Sequence, residues 1–418
     1  MISIESWVVG PVIDEQTGAE DGTLRDPAYV FGTASFLNDA GSDMIAPIWP
    51  TFLEKQLGFT AGQIQIIDSL ALTVTSVSKL AAGYASDRTG KRKAFITLGY
   101  SLSMFSRIGF VLAALLSSKL QLIFWKSIDR LGKMRGPPRD AIVAGHAAES
   151  KRGRAFGILR TLDTAGALFG TFITLLLTLF LFDFLGYLGI ILLAAIPTIG
   201  SIIVISVLIK EKRGKDVFKG ISFRGLNRNL KIFLIASLLI AFAAFSYSLL
   251  LLYAGNYGFD QPHQQTLLYM LFTAVYAGSA YPFGRLSDRV GRKPILIVAF
   301  FLLLVTAAWG YLIFELAVSF GLLIIPLFLT FGLMNGALDP VQTTLVADLV
   351  EEERRASIIG AFQMAVGITA LPAGIIIGYL WDIAPPFAFL YSIIVTLIAL
   401  VMLSLIKIKK DDGGPGEI

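Results

Sequence analysis

Long apolar stretches alternate with short polar turns along most of this chain. Each stretch holds about 20 residues, which is the length an α-helix needs to cross the hydrocarbon core of a bilayer. We number these stretches spans 1 to 12, and they fall at 28–53, 62–84, 94–117, 120–146, 155–180, 185–209, 230–256, 265–284, 294–314, 317–348, 357–380 and 387–407. The pattern predicts an all-α membrane protein with twelve transmembrane helices, six on each side of a polar connector. Spans 1, 4 and 10 are the least regular because they carry charges or prolines.

The composition supports the same fold class. Of 418 residues, 55% are hydrophobic and 16% are charged, whereas a soluble domain carries about 25% charged residues. The chain has no cysteine and two histidines, so disulfides are excluded and a histidine-built metal site is not expected. No catalytic triad or phosphate-binding loop is recognisable. We therefore expect neither an enzyme nor a bound cofactor.

Basic residues are concentrated in alternate loops. Twenty-four lysines and arginines follow the even-numbered spans, whereas Lys55 and Lys119 are the only two in the other loops. Positively charged loops remain on the cytoplasmic side of a membrane. The distribution predicts that the protein lies in the cytoplasmic membrane with both termini in the cytoplasm. Its basic surface would face anionic lipid, and nucleic acid is not an expected partner.

These boundaries divide the chain into five segments. The segments are a cytosolic leader at 1–27, an N-terminal six-helix bundle at 28–209, a cytoplasmic connector at 210–229, a C-terminal six-helix bundle at 230–407 and a cytosolic tail at 408–418. The leader is acidic and lacks the apolar region of a signal peptide. We expect it to remain in the cytosol.

An eleven-residue motif occurs twice, about two hundred residues apart. The copies are Gly83–Lys93, GYASDRTGKRK, and Gly284–Pro294, GRLSDRVGRKP. Each copy joins the second and third spans of its group of six, and Pro138 and Pro340 also stand at corresponding places. The repetition predicts two homologous halves that move against each other, an arrangement common among transporters.

The pattern Gly-x-x-x-Asp-Arg-x-Gly-x-Arg/Lys-Lys, complete in the first copy and repeated in the second except for Pro294 at its last position, resembles the signature of the major facilitator superfamily. The resemblance covers residues 28–408, and residues 34–54 and 129–140 resemble a little-characterised prokaryotic subgroup of it. It implies two pseudo-symmetric six-helix bundles around a central cavity, in a monomer that works by alternating access. It also implies that the motif latches the cytoplasmic side when the protein opens outward. The latch residues would be Gly83, Asp87, Arg88, Gly90 and Arg92, with Gly284, Asp288, Arg289, Gly291 and Arg292 in the second copy.

The residue types of the motif suit a latch. The glycines permit close helix contact and a tight turn. Asp87 can accept hydrogen bonds from the arginine of its own turn and from a neighbouring helix N-terminus. We predict that Asp87→Asn leaves folding intact but weakens transport. A variant that transports at the wild-type rate would exclude the latch.

Charged residues inside the spans are the main candidates for function. Each costs roughly 2.5–3.5 kcal/mol at the bilayer centre, so each must face the interior and find a partner. The proton-coupling candidates are Asp39, Asp43, Asp68 and Asp163, and the substrate-cavity candidates are Asn38, Lys126, Asp129, Arg130, Arg160 and Gln363. Asp39 and Asp43 rank first as proton carriers because span 1 has no basic residue near them. Lys126 and Arg130 rank first as substrate contacts because they lie one turn apart on one face. The alternative is that these charges only join helices as ion pairs.

Aromatic residues are given a structural interpretation. Trp49, Trp125, Trp309 and Trp381 lie near predicted span ends, where an interfacial belt accounts for them. Tyrosines of spans 7 and 8, among them Tyr247 and Tyr269, are expected to pack between helices, with a place in the cavity wall as the alternative.

Together these features predict a secondary active transporter that moves a small organic solute by alternating access. Proton coupling is the expected energy source. The cationic span 4 favours an anionic or amphipathic solute, although neighbouring carboxylates leave the charge open. Export is slightly favoured over import, because the pair Gly166 and Gly170 resembles part of the span 5 motif of drug antiporters. The alternatives are an uncoupled uniporter, a proton-driven importer and a receptor built on a transporter fold.

Overall fold

The structure is a computed structural model that describes residues 26–147, 151–209, 228–316, 321–350 and 355–406. The predicted connector 210–229 and leader 1–27 lie almost entirely outside the described residues, and the predicted tail 408–418 lies wholly outside them. Those three segments remain predictions.

The described residues fold into α-helices that follow the twelve predicted spans. In the first half the helices are Pro27–Ile45 and Trp49–Leu57 (span 1), Ala61–Thr89 (span 2), Arg92–Leu115 (span 3), Lys119–Leu131 and Gly136–His146 (span 4), Arg152–Phe180 (span 5), and Phe182–Leu193 and Ala195–Leu208 (span 6). In the second half they are Arg228–Ala243 and Tyr247–Gly255 (span 7), Pro262–Val290 (span 8), Arg292–Glu315 (span 9), Ile325–Asp348 (span 10), Arg355–Ile383 (span 11) and Pro385–Ser404 (span 12). The predicted all-α membrane fold is confirmed.

The spans differ in whether their length and apolar composition are enough to place them in a bilayer. Among the described residues, nine helical segments are long and apolar enough to cross a membrane, and spans 1, 4 and 8 fall short. Span 10 is apolar enough to cross a membrane although it carries charges and prolines, because its two charges, Asp339 and Asp348, lie in its second half and leave the first half apolar. Span 8 falls short because polar and charged residues occupy both of its ends.

Spans 1 and 7 are each broken at the same place in their half. Span 1 is interrupted at 46–48 and span 7 at 244–246. Pro47 lies within the first break and has no backbone N–H to donate to the helix. Interrupted helices at corresponding positions of two repeats are typical of transporter binding sites. The predicted spans were continuous, so both breaks are new information.

Spans 1 and 5 pack closely through glycine. A Cβ atom at Gly166 would collide with the backbone of Phe36, and one at Gly170 with the backbone of Ala40. The small-residue pattern of span 5 therefore allows two helix backbones to come into contact, as small residues do in membrane proteins generally.

We expect Gly170→Leu to destabilise the N-terminal half, because the added side chain must separate spans 1 and 5. Overpacking of this kind costs about 1–3 kcal/mol. Thermal unfolding of the purified protein, followed by gel filtration after heating, measures the effect. Gly157→Leu is the matched control, because Gly157 lies on the same helix and a Cβ there meets nothing within 4 Å. Equal stability of the two variants would contradict the packing account.

The two halves pack together along spans 2 and 11, from Gly62 and Gly378 to Leu80 and Gly360, and further hydrogen bonds join them at one end of the molecule. We call the end that carries the turns after spans 2 and 8 the basic end, and the other the opposite end. At the opposite end Asp382 of span 11 accepts hydrogen bonds from Thr60 Oγ1 (2.6 Å) and from the backbone N–H of Gly62 (2.8 Å). Thr51 also donates to Gln265 across the same boundary. These bonds close the opposite end between the halves.

Candidate functional site

A layer of charge divides the interior of the N-terminal half. Its apolar core consists of two clusters, one around Trp49 and Phe52 and another around Phe31 and Tyr100, whereas the C-terminal half has one continuous cluster. Charged side chains of spans 1, 3, 4 and 5 lie between the two clusters. Most charged residues of the predicted spans belong to this half, and in the structure they lie in one layer.

A pocket opens within this layer at the breaks in spans 1 and 7. Its lining residues are Ser42, Ile45, Ala46, Trp49, Arg107, Phe110, Lys126, Asp129, Arg130 and Tyr247. Three of the predicted cavity residues, Lys126, Asp129 and Arg130, therefore lie together in one wall. The pocket combines cationic groups with an aromatic and aliphatic surface.

Lys126 is the most unusual of the pocket residues. It is 6% exposed, and its ammonium lies 3.6 Å from the centroid of the Trp49 ring. Among the described residues no carboxylate oxygen lies within 4.0 Å of it. A cation–π contact compensates only part of the cost of burying a charge. The assignment of Trp49 to an interfacial belt was wrong, because the break in span 1 turns this ring into the interior, where it is 1% exposed.

Arg107 of span 3 is a pocket residue that the sequence analysis did not select. It is 1% exposed and donates to the backbone oxygen of Ser103 (3.1 Å) and to Ser42 Oγ (3.2 Å). Its Nε atom is buried with no hydrogen-bond partner among the described residues. Arg107 is the only charged residue in the predicted span 3, and that isolation was the signal that could have identified it.

Asp129 and Arg130 form the one ion pair in the pocket wall among the described residues. Arg130 Nε lies 3.4 Å from Asp129 Oδ2, and Ser106 Oγ lies 3.4 Å from the other carboxylate oxygen. The carboxylate is therefore engaged by both a cation and a hydroxyl. Within the described residues, Lys126 and Arg107 therefore have no carboxylate oxygen within 4.0 Å.

Asp39 lies deeper toward the basic end and is neutralised by span 4. Lys133 Nζ and Arg135 Nη2 lie 3.6 and 3.7 Å from Asp39 Oδ1. The argument that ranked Asp39 as a proton carrier counted cations on its own span only, and the structure contradicts it. Asn38 donates to Asp39 (3.0 Å) and is fully buried, so it supports the carboxylate and does not line the pocket.

Asp163 belongs to a second ion-pair group near the basic end. It lies 3.6 Å from Arg139 Nη1 and 3.8 Å from Arg160 Nη1. Arg160 and Asp163 lie three residues apart on one helix, which brings their side chains together. Arg139 also donates to Ser35 Oγ (2.7 Å) and pairs with Asp140 (3.0 Å), which ties spans 1, 4 and 5 together. Asp163 and Asp39 thus fit the interpretation that intramembrane charges join helices.

Asp43 and Asp68 have a different environment. Tyr269 Oη of span 8 donates to Asp43 Oδ1 at 2.8 Å, and Ser248 Oγ of span 7 donates to Asp68 Oδ2 at 2.5 Å. Within the described residues neither carboxylate has a cationic nitrogen within 4.0 Å. Each therefore reaches across the boundary between the halves and is held by a hydroxyl, not by an opposite charge.

Gln363 does not join the pocket. Its side chain is exposed on span 11, and it is absent from the pocket lining. A single glutamine in an apolar span was a weak signal, because an exposed glutamine needs no buried partner.

The duplicated motif forms ion pairs that stay within each half. Arg92 Nη2 lies 2.8 Å from Asp87 Oδ1, and Arg292 pairs with Asp288 and with Asp348 (3.0 Å). Arg88, expected to be part of the latch, instead donates to Tyr84 Oη at 3.3 Å. The arginine five residues after Asp87 is the one that engages its carboxylate.

The glycines of the motif are needed for turns more than for contacts between helices. Gly90 and Gly291 end spans 2 and 8 with φ of 67° and 93°, where a side chain would strain the backbone. The expectation of close helix contact was wrong for Gly284, where a Cβ atom would meet nothing within 4 Å. At Gly83 the neighbour is Pro137 Cβ at an ordinary 3.5 Å.

Comparisons with known proteins agree with this architecture. A family model described as Major Facilitator Superfamily matches residues 31–261 and 233–417. The chain belongs to the major facilitator superfamily. It is 33% identical over 401 residues to an uncharacterized MFS-type transporter of Methanocaldococcus jannaschii, covering 93% of this chain and 97% of the relative. It is also 30% identical over 298 residues to the multi-drug resistance efflux pump PmrA of Streptococcus pneumoniae, covering 66% of this chain and 71% of the pump.

Solved structures of this superfamily share the fold. The nucleoside transporter NupG aligns with a TM-score of 0.73 at 14% identity, covering 90% of this chain and 99% of that structure. A POT family transporter in complex with 5-aminolevulinic acid aligns with a TM-score of 0.74 at 14% identity, covering 91% and 95%. The protein is thus a multi-pass membrane transporter of the major facilitator type and not an enzyme.

Proposed function

We propose that this transporter is proton-coupled, with Asp43 as the group that binds and releases the proton. The observation that supports this proposal is the hydrogen bond from Tyr269 to Asp43 across the boundary between the halves. A carboxylate without a nearby cation is the kind that gains a proton most readily in a buried site. Protonation of Asp43 would weaken its acceptance of that bond and so loosen the two halves.

We further propose alternating access, which is supported by the hydrogen bonds that join the halves at one end. Hydrogen bonds between the halves close the opposite end, around Asp382 and around Gln265. The motif carboxylates at the basic end bond within their own halves. We assign the basic end to the cytoplasm, in keeping with the positive-inside rule. On this assignment the structure is an inward-facing state, and the latch of the duplicated motif forms in the outward-facing state.

Export is the direction we favour, and the substrate would be a small organic solute. The similarity to the efflux pump PmrA over two thirds of the chain supports export. An inward-facing pocket that takes a solute from the cytoplasm and returns with a proton would act as an antiporter. An uncoupled uniporter remains the second candidate, because a solute gradient alone can drive the same rocking motion.

The test is transport by the purified protein in sealed liposomes with an imposed pH gradient. Solutes of anionic, neutral and cationic classes are screened one at a time. Proton coupling predicts solute movement against its own concentration gradient, with collapse of that movement when an ionophore abolishes the pH gradient. Flux that follows only the solute gradient at every pH would identify a uniporter.

A further inference from the structure

We propose that the pocket selects a small amphipathic organic anion, such as an aromatic carboxylate. The proposal rests on the proposed transport function and adds the substrate class. It starts from the charges that line the pocket. Lys126, Arg107 and Arg130 contribute three cations, and among the described residues Asp129 contributes the only carboxylate of the lining.

The carboxylate of Asp129 is already engaged. It pairs with Arg130 on its own helix and lies within hydrogen-bond distance of Ser106. The ammonium of Lys126 and the guanidinium of Arg107 are each more than nine-tenths buried and have, within the described chain, no carboxylate within 4.0 Å. A solute anion placed between them would supply the missing counterion.

The excess positive charge of the pocket matters because Lys126 and Arg107 are buried. A cation removed from water loses hydration that neutral contacts recover only in part. Lys126 has the face of Trp49, and Arg107 has one backbone oxygen and one hydroxyl. Arg107 Nε is buried without a partner among the described residues and is a free donor beside the pocket. An arginine and a lysine together are a common pair for binding a carboxylate or phosphate.

The apolar and aromatic residues of the lining determine what apolar group the solute can carry. Ile45, Trp49 and Phe110 form an apolar wall from spans 1 and 3, and Tyr247 faces them from span 7. Trp49 and Phe110 lie with ring centroids 5.0 Å apart. Pockets of this type bind an apolar body and use a few charged groups to orient it. The anion would point toward span 4, and its ring or chain toward Trp49 and Phe110.

Asp43 and Asp68 lie outside this lining but next to it, because Asp43 follows Ser42 in the chain and Asp68 accepts from Ser248, the neighbour of Tyr247. An anion held by Lys126 would also bring the halves together, because Tyr247 belongs to span 7 and the cations to spans 3 and 4. The substrate and the proton would therefore act on the same boundary through different residues.

The test is equilibrium binding to purified protein in detergent, without any gradient, measured by titration calorimetry. The probes are benzoate and benzylammonium, which share a ring and differ in the sign of their charge. We expect benzoate to bind and benzylammonium to bind at least about tenfold more weakly, the difference that one charged contact supplies. Because no gradient is applied, a failure of proton coupling would leave this result unchanged.

Lys126→Gln should weaken benzoate binding at least about tenfold, and Lys126→Arg should retain it. Lys119→Gln is the matched control, since Lys119 also lies over an aromatic ring, that of Phe59 at 4.7 Å, but outside the pocket. If Lys126→Gln does not elute as a folded protein, Arg130→Gln is measured in its place. It should also weaken benzoate binding. Tighter binding of benzylammonium, binding of neither probe, or equal benzoate affinity in folded Lys126→Gln and wild type would overturn the proposal.

Discussion

The Asp43→Asn variant is expected to lose proton-driven transport and to keep solute exchange. The amide oxygen of asparagine still accepts the hydrogen bond from Tyr269, so the contact between the halves is preserved. The amide cannot gain or release a proton, so the pH gradient can no longer drive transport. We expect solute accumulation under a pH gradient to fall by at least about tenfold, equivalent to ~1.4 kcal/mol or more.

The measurement is a pair of assays on the same liposomes, namely accumulation under a pH gradient and counterflow exchange at equal pH. Tyr269→Phe removes the hydrogen bond and retains the carboxylate. It should also weaken proton-driven accumulation, because protonation of Asp43 then has no bond between the halves to weaken. Wild-type accumulation in Asp43→Asn would contradict the proposal. Loss in Asp39→Asn with retention in Asp43→Asn would move the proton site along span 1 to Asp39, which lies near Lys133.

The sequence predicted the fold well because the fold depends on local properties. Apolar length marks nine of the twelve spans among the described residues, and the duplicated motif indicated two homologous halves. The free-energy cost of burying a charged side chain in the bilayer also identified part of the pocket. Lys126 and Arg130 were selected because a helix places residues four apart on one face, and that geometry needs no knowledge of other helices.

The remaining features depend on which helices become neighbours, and a single sequence does not contain that information in readable form. Asp39 looked unpaired because its cations come from span 4, about 95 residues later in the chain. Trp49 looked interfacial because its position depends on the break at 46–48. The partners of Asp43 and Asp68 lie in the other half altogether.

Cross-linking of the opposite end is expected to stop transport completely. The natural chain has no cysteine, so a pair of introduced thiols is the only reactive pair present. Thr60 and Asp382 are exposed and lie on different halves, with Oγ1 and Oδ2 2.6 Å apart. A Thr60→Cys/Asp382→Cys protein can be bridged by a short, cleavable bifunctional thiol reagent in the state described here. Because outward opening must separate these positions, the bridge would hold the protein inward-facing.

The matched control is Gln63→Cys/Lys119→Cys, a pair at the same end but within one half, where Lys119 Nζ and Gln63 Oε1 lie 3.4 Å apart. Bridging this pair should leave transport unchanged, since rigid movement of a half does not alter distances inside it. The decisive measurement is solute flux through the Thr60→Cys/Asp382→Cys protein before bridging, after bridging and after cleavage of the bridge. Alternating access by two moving halves predicts flux, then none, then recovery. Undiminished flux through the fully bridged protein would contradict it.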